Sequence, residues 1–94
     1  MTGTELIAKE RQRQIEEEGW DTQYDDGHPA GDLAVAGACY AFDVAGFVLI
    51  AKDCWPWGKE WWKPTPNDSM RQLVKAGALI AAEIDKLQRQ RGSK

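Results

Sequence analysis

The sequence predicts an all-α fold, a small bundle of three main helices that forms a single domain over residues 1–94. The chain is 43% hydrophobic and 29% charged, a composition typical of one globular domain with a modest core. Residues 5–18 and 69–91 contain no proline and are each followed by glycine. Residues 69–91 also repeat apolar residues every three or four positions, the period of an amphipathic helix.

The first helix is expected to follow Thr4 as its N-cap and to stop at Gly19. Its inner face is unusual, because polar residues occupy positions that should join the apolar ones: Glu10, Arg11 and Gln14. One interpretation is a helix with a narrow apolar seam and a broad solvated face. The other is that these three side chains point into a polar site.

Residues 20–31, WDTQYDDGHPAG, contain many turn-forming residues and no periodicity, which predicts an acidic loop. A second helix should begin near Asp32, continue through Ala45 or beyond, and end or kink at Gly46. The apolar run 33–51 is long enough to cross a membrane, but Asp43 and its many small residues favour a buried helix. Such a helix belongs at the centre of a bundle or of a homo-oligomer, because small residues permit close approach.

Four of the five tryptophans lie in one short segment, residues 54–64, CWPWGKEWWKP. Its glycine and two prolines exclude a regular helix, which predicts a Trp-rich loop. After it, Asn67 or Asp68 is suited to cap a third helix. The apolar residues of that helix fall on one face: Met70, Leu73, Val74, Gly77, Ile80, Ala81, Ile84 and Leu87.

The Trp-rich loop has two interpretations. Its indoles can cap the end of a bundle whose small residues leave space to fill. They can also form a stacking wall for a planar ligand, with lysines beside them to neutralise phosphate. The predicted ligand-binding residues are Trp55, Trp57, Trp61, Trp62, Lys59 and Lys63, with Glu10, Arg11 and Gln14 from the first helix. The net charge of -3 disfavours a nucleic-acid polymer and limits the ligand to a compact anion.

The acidic loop offers a second candidate site. Asp25, Asp26, His28 and Asp32 could together bind a hard cation such as magnesium. Their spacing does not match a calcium-binding EF-hand, and a solvated acidic loop is the alternative. No other cofactor is expected.

No secretory signal is evident in the N-terminal residues, MTGTELIAKERQRQIEEE, because they contain no apolar stretch followed by a cleavage site. The expected location is therefore the cytoplasm, without a membrane partner.

Seven short blocks occur in this order: ERQRQ, EGW, DDGHPAGDLA, CYA, WPW, WWKP and LVKAGALIAAEI. With these blocks the chain resembles a family of short proteins encoded mainly by tailed phages and prophages, which implies a protein of the bacterial host cytoplasm. The family pattern often has His where Tyr24 stands and Glu where Asp32 stands. The missing His weakens a two-histidine metal site, whereas Asp for Glu preserves the charge.

The chain is also similar, more weakly, to the all-α nucleoside triphosphate pyrophosphohydrolases of the MazG type. That resemblance implies magnesium-dependent hydrolysis through Glu10, Glu17, Asp26 and Asp32. The paired acids that such enzymes place on facing helices are largely missing here.

Three functions therefore follow as hypotheses. The preferred one is binding and sequestration of a small nucleotide-type anion, used by a phage against a host nucleotide signal. The second is magnesium-dependent nucleotide pyrophosphohydrolysis. The third is a protein-binding module whose exposed aromatic residues inhibit a host enzyme.

Overall fold

A computed structural model describes residues 1–92 of the chain, so the last two positions of the predicted domain lie outside the described residues. Within that range the regular elements are all helical: α1 (Gly3–Glu17), α2 (Thr22–Asp26), α3 (Asp32–Val44), α4 (Val48–Cys54) and α5 (Ser69–Gly92), with a 3-10 turn at Lys59–Trp61. The all-α class is confirmed. The described part adds two short helices, α2 and α4, to the three long ones.

Helix α5 is the scaffold on which the other elements are arranged, because α1, α2 and α3 all pack against it and α4 packs against α3. The apolar core lies between α3 and α5 and consists of Leu33, Ala36, Tyr40, Ala76, Leu79 and Ala82. Gly37 lets these two helices approach closely. A Cβ atom at Gly37 would lie only 2.9 Å from the carbonyl oxygen of Ala76.

The ends of α1 differ slightly from the predicted ones. Thr2, and not Thr4, is the N-cap, and it forms a capping box with Glu5. The Thr2 hydroxyl accepts from the backbone N–H of Glu5 at 3.2 Å, and the Glu5 carboxylate accepts from the backbone N–H of Thr2 at 2.8 Å. At the other end the helix stops before Gly19, whose φ of 73° is a left-handed conformation that glycine tolerates.

The apolar run 33–51 forms two helices. Helix α3 ends at Val44, Gly46 has a φ of 96°, and α4 begins at Val48. The prediction was that the helix would end or kink at Gly46, and it ends there. Among the helices described, none is long and apolar enough to cross a membrane.

The prediction that residues 20–31 form a loop throughout is wrong, because α2 occupies its middle. Asp21 caps this short helix by accepting a hydrogen bond from the backbone N–H of Tyr24 at 3.0 Å. Two ion pairs then fix α2 to its neighbours. Arg11 of α1 contacts Asp25 at 2.5 Å, and Arg89 of α5 contacts Asp26 at 2.6 Å.

Helix α5 is capped as predicted by Asp68, which accepts from the backbone N–H of Arg71 at 3.0 Å. On its predicted apolar face Val74 is buried, but Met70, Leu73, Ile80, Ile84 and Leu87 remain between 42% and 67% exposed, and most of the buried residues lie on a different face. That buried face contains polar residues, including Gln72 and Lys86. Gln72 donates to the carbonyl of Tyr40 at 3.0 Å and Lys86 donates to the carbonyl of His28 at 2.6 Å. These hydrogen bonds offset the cost of burying polar groups.

Candidate functional site

The Trp-rich segment folds back onto α3, where part of it caps the core. The ring of Trp62 stacks on Tyr40, with centroids 4.9 Å apart and planes 13° apart. Trp55 meets both rings edge-on, at 5.4 Å from Tyr40 and 4.9 Å from Trp62. These contacts fill the space beside the alanine-rich core, as the capping interpretation proposed.

A second row of rings continues from Trp55 toward α2. Trp57 lies 5.3 Å from Trp55 and 4.7 Å from the imidazole of His28. His28 in turn meets Tyr24 edge-on at 4.9 Å, and Tyr24 stacks on Trp20 at 5.9 Å. These rings border a cavity of about 320 Å³, here called the aromatic pocket, whose walls are Trp20, Tyr24, His28, Tyr40, Trp55, Trp57, Gly58, Trp61 and Leu79.

Hydrogen bonds hold the irregular segment in this position. The indole N–H of Trp55 donates to the carbonyl of Gly58 at 3.1 Å, and that of Trp57 donates to the carboxylate of Asp32 at 3.3 Å. Farther along, the backbone N–H of Lys63 donates to the Tyr40 hydroxyl at 3.2 Å. The rings are thus positioned by α3 as well as by their own packing.

A second cavity, of about 310 Å³, adjoins the first and is here called the polar pocket. Its walls are Glu10, Arg13, Gln14, Glu18, Trp20, Tyr40, Trp61, Lys63, Thr65, Arg71, Lys75 and Leu79. Trp20, Tyr40, Trp61 and Leu79 border both cavities. The aromatic pocket and the polar pocket are therefore contiguous, with apolar and aromatic side chains at the junction.

Glu10 organises one wall of the polar pocket. Its carboxylate is buried and accepts hydrogen bonds from Arg13 at 2.9 Å, Arg71 at 2.7 Å and Gln14 at 3.2 Å. Burial acts to raise the pKa of Glu10, but the hydrogen bonds and charges of Arg13 and Arg71 outweigh it and hold the pKa below its usual value. Glu10 is therefore a structural anion that fixes two arginines at the pocket.

Lys75 is another cation of the polar pocket and lies one helical turn after Arg71. Its ammonium lies 4.7 Å from the centre of the Tyr40 ring and donates to the carbonyl of Lys63. Burial, followed by the positive charge of Arg71, lowers the pKa of Lys75 below its usual value. The polar pocket thus concentrates cations that repel one another, and an anion bound among them would relieve this repulsion.

Two buried polar atoms that belong to pocket-lining residues have no hydrogen-bond partner within residues 1–92: Gln14 Oε1 and His28 Nε2. The amide of Gln14 is only 1% exposed, and its nitrogen is committed to Glu10, whose carboxylate can only accept. The Gln14 oxygen therefore has no hydrogen-bond donor among its neighbours in residues 1–92. The Gln14 oxygen requires a ligand group that donates, such as a hydroxyl or an N–H, and a phosphate oxygen, which accepts, would not satisfy it.

The structure brings together six of the nine predicted ligand-binding residues. Trp55, Trp57 and Trp61 border the aromatic pocket, while Glu10, Gln14 and Lys63 border the polar pocket. Trp62, Lys59 and Arg11 border neither. Trp62 is used as a cap on Tyr40, Lys59 is exposed in the 3-10 turn, and Arg11 is committed to Asp25.

The predicted metal ligands do not converge. Asp25 is buried against Arg11, Asp26 pairs with Arg89, and Asp32 accepts from an indole. His28 belongs to the aromatic pocket. Within residues 1–92 no three His, Cys, Asp or Glu side chains are arranged to hold a metal ion. Glu17, of the hydrolase hypothesis, borders neither pocket but lies in a groove between α1 and α5 that shares Glu10, Arg13 and Arg71 with the polar pocket.

The residues of the two pockets that sequence reasoning missed include three aromatic ones, Trp20, Tyr24 and Tyr40, and three cationic ones, Arg13, Arg71 and Lys75. A local signal existed for Arg13, which lies three residues after Glu10 and so on the same helix face. Arg71 and Lys75 also share a face, four residues apart. Which pocket that face borders depends on how α5 is rotated in the fold.

The chain was compared with protein-family models, with curated proteins and with solved structures, and none of the three comparisons found a match.

Proposed function

We propose that this protein binds a small nucleotide-type anion, with the base in the aromatic pocket and the phosphate in the polar pocket. The observation that carries the proposal is the contiguity of two chemically different cavities, one walled by rings and the other rich in cations. A nucleotide has two parts that complement these cavities, an aromatic base and an anionic phosphate, joined by a sugar. Each pocket is at the lower end of the roughly 300–1,000 Å³ found for small-molecule sites, which suits one base and one phosphate group.

Trp61 is the best placed ring for stacking on the base. It is 55% exposed and borders both pockets, so an indole face is available where they meet. Stacking of a base on an aromatic side chain contributes about 1–3 kcal/mol. The neighbouring rings, which contact one another closely, supply a rigid wall.

The charges of the polar pocket favour a phosphate. Four cationic side chains, Arg13, Lys63, Arg71 and Lys75, face two carboxylates. One of those carboxylates, Glu10, is already shared by both arginines. In the described part of the chain no carboxylate pairs with the exposed ammonium of Lys63, which leaves it available to a phosphate.

Binding is preferred to hydrolysis because the carboxylates of the MazG-like alternative have other partners. Glu10 is held by arginines, Asp26 by Arg89 and Asp32 by Trp57. In the setting of the phage family that the chain resembles, binding alone would be useful. A protein that retains a nucleotide signal of its host removes the signal without chemistry.

The direct experiment is to titrate the protein by calorimetry with mono-, di-, tri- and cyclic nucleotides in magnesium buffer. Bound nucleotide is then released by denaturation, and its molecular mass is measured by mass spectrometry. We expect a nucleotide that is retained and released intact, whereas a shortened product would favour the hydrolase. If no nucleotide binds, the proposal fails and the protein-binding alternative takes its place.

Lys63 and Lys59 provide a matched pair of variants for the phosphate half. Lys63→Ala removes a pocket cation and should weaken nucleotide binding about 10- to 150-fold, since hydrogen bonds to charged groups contribute about 1.5–3 kcal/mol. Lys59→Ala removes the same charge outside both pockets and should leave the affinity within about twofold. Equal losses in both variants would mean that net charge, and not the polar pocket, attracts the ligand.

Nucleotide affinity should fall as the pH rises through the pKa of Lys75. That pKa is lowered in the free protein by burial and by neighbouring cations, and a phosphate beside the ammonium would raise it. The bound state therefore holds the proton more tightly than the free state, so binding is strongest below the free pKa and weakens above it. Titrations at several pH values with wild type and Lys75→Met test this, because the variant should lose that part of the pH dependence. An unchanged profile would place Lys75 outside the phosphate site.

A further inference from the structure

The exposed face of α5 is an apolar stripe that residues 1–92 cover only in part, where Ile7 of α1 lies against Gly77 and Gly37 of α3 lies against Ile80. Met70, Leu73, Ile80, Ile84 and Leu87 are between 42% and 67% exposed. At 1.5 Å per residue they extend over about 26 Å of the helix. Contiguous exposed apolar surface of a few hundred Å² is characteristic of interaction sites. The stripe is also separate from both pockets, whose α5 residues lie on another face.

The spacing of the stripe fits a helix as its partner. Positions 70, 73, 77, 80, 84 and 87 alternate steps of three and four, the heptad pattern by which one helix packs lengthwise against another. Gly77 interrupts the large side chains, and there Ile7 of α1 lies against the helix. The stripe therefore presents large apolar knobs at Leu73, Ile80 and the positions beyond.

The distribution of charge favours a second copy of the same helix. In a two-fold pairing each patch meets itself, so any charge near its centre would face a like charge. The six stripe positions carry no charged side chain. The six positions are symmetric about the midpoint between residues 78 and 79, so in an antiparallel copy Met70 faces Leu87, Leu73 faces Ile84 and Gly77 faces Ile80.

The two ends of the stripe carry opposite charges, which favours that antiparallel arrangement. Beside Met70, the groove between α1 and α5 contains the three carboxylates of Glu16, Glu17 and Asp68 and the single ammonium of Lys9, in addition to Glu10 and its two arginines. The arginines of the same groove, Arg13 and Arg71, are committed to Glu10. At the opposite end α5 finishes with the exposed Arg91. Antiparallel pairing brings each basic end to the other copy's acidic groove.

We propose that α5 forms an antiparallel two-fold interface with α5 of a second copy of this chain through this stripe. The proposal does not depend on nucleotide binding, because the stripe and the pockets occupy different faces. A host protein on the same surface is the competing occupant.

The test is the mass in solution of purified protein, measured by light scattering during size-exclusion chromatography without nucleotide. Wild type should have the mass of two chains at the highest soluble concentration. Ile84→Glu and Leu87→Glu should each shift it to one chain, because the substitution places a carboxylate in the apolar seam. Far-UV circular dichroism checks that helix content is kept, and Leu87→Glu, near the helix end, serves if Ile84→Glu does not fold.

Leu49→Glu is the matched control, since Leu49 is 77% exposed on α4 and outside the stripe. This variant should keep the wild-type mass. A wild-type protein that has the mass of one chain overturns the proposal and leaves a different protein as the occupant. Dimers that persist in both stripe variants, or that are lost equally in Leu49→Glu, also overturn it.

Discussion

Replacing Arg11 with Met is expected to destabilise the protein by about 3–5 kcal/mol, the usual cost of breaking a buried ion pair by removing one partner. Arg11 and Asp25 are 8% and 1% exposed, and their side chains meet at 2.5 Å. Without the guanidinium the carboxylate of Asp25 would be buried alone. The loss would also free α2, which carries Tyr24 and leads to His28 at the aromatic pocket.

The destabilisation by Arg11→Met should shrink as the pH falls. Burial already raises the pKa of Asp25 against the opposing charge of Arg11, and removal of Arg11 raises it further. Since the folded variant then binds a proton more tightly than the unfolded chain, lowering the pH through the folded pKa of Asp25 stabilises the variant relative to wild type. Urea unfolding of both proteins at several pH values measures this difference.

Arg89→Met is the control for Arg11→Met, because it breaks the ion pair with Asp26, in which both side chains are substantially exposed. Its expected cost is about 0–1 kcal/mol. The double variant Arg11→Met, Asp25→Leu should recover much of the loss, since it leaves no buried charge. Equal stability of Arg11→Met and wild type would contradict the structural role given to this pair.

Replacing Trp61 with Ala is expected to weaken nucleotide binding about 5- to 150-fold, the equivalent of about 1–3 kcal/mol of base stacking. The protein should remain folded, because Trp61 is 55% exposed and does not belong to the apolar core. Trp61→Phe should restore most of the affinity, since it keeps an aromatic face. Calorimetric titration with the best nucleotide ligand measures all three proteins.

Trp62→Ala separates stacking on a ligand from packing in the fold. Trp62 stacks on Tyr40 and borders neither pocket, so its loss should lower the free energy of unfolding more than the affinity of the folded protein. A Trp61→Ala variant that binds nucleotide as tightly as wild type would remove Trp61 from the site. Equal effects of both variants on affinity would indicate that the cluster acts only through the fold.

Several helix ends were readable from the sequence because they depend on local chemistry, although the predicted N-cap of α1, Thr4, was wrong. Gly19 and Gly46 do adopt the left-handed conformation that stops a helix, and Asp68 does cap α5. Helix α2 was missed because its residues resemble a loop and its single turn depends on distant partners. The ion pair between Arg11 and Asp25 spans fourteen positions, which no periodicity displays.

The candidate site was only partly predictable for a related reason. Polar residues at helical spacing on α1 raised the hypothesis of an inward-facing polar group, and Glu10, Arg11 and Gln14 are indeed buried. Arg11 forms an ion pair with Asp25, whereas Glu10 and Gln14 line the polar pocket. Which role each residue takes depends on side chains that are distant in the sequence. Arg71 comes to Glu10 from a position sixty-one residues away. The apolar stripe of α5 likewise indicated one face without indicating what covers it.

We propose that the aromatic pocket and the polar pocket form one bipartite site. Calorimetric titration of wild-type protein with a nucleotide, its nucleoside and inorganic phosphate under the same conditions tests whether one ligand occupies both pockets. A single site predicts one nucleotide per chain, bound far more tightly than either fragment, and competition of each fragment with the nucleotide. Equal affinities for nucleotide and nucleoside, or fragments that bind without displacing the nucleotide, would contradict the claim.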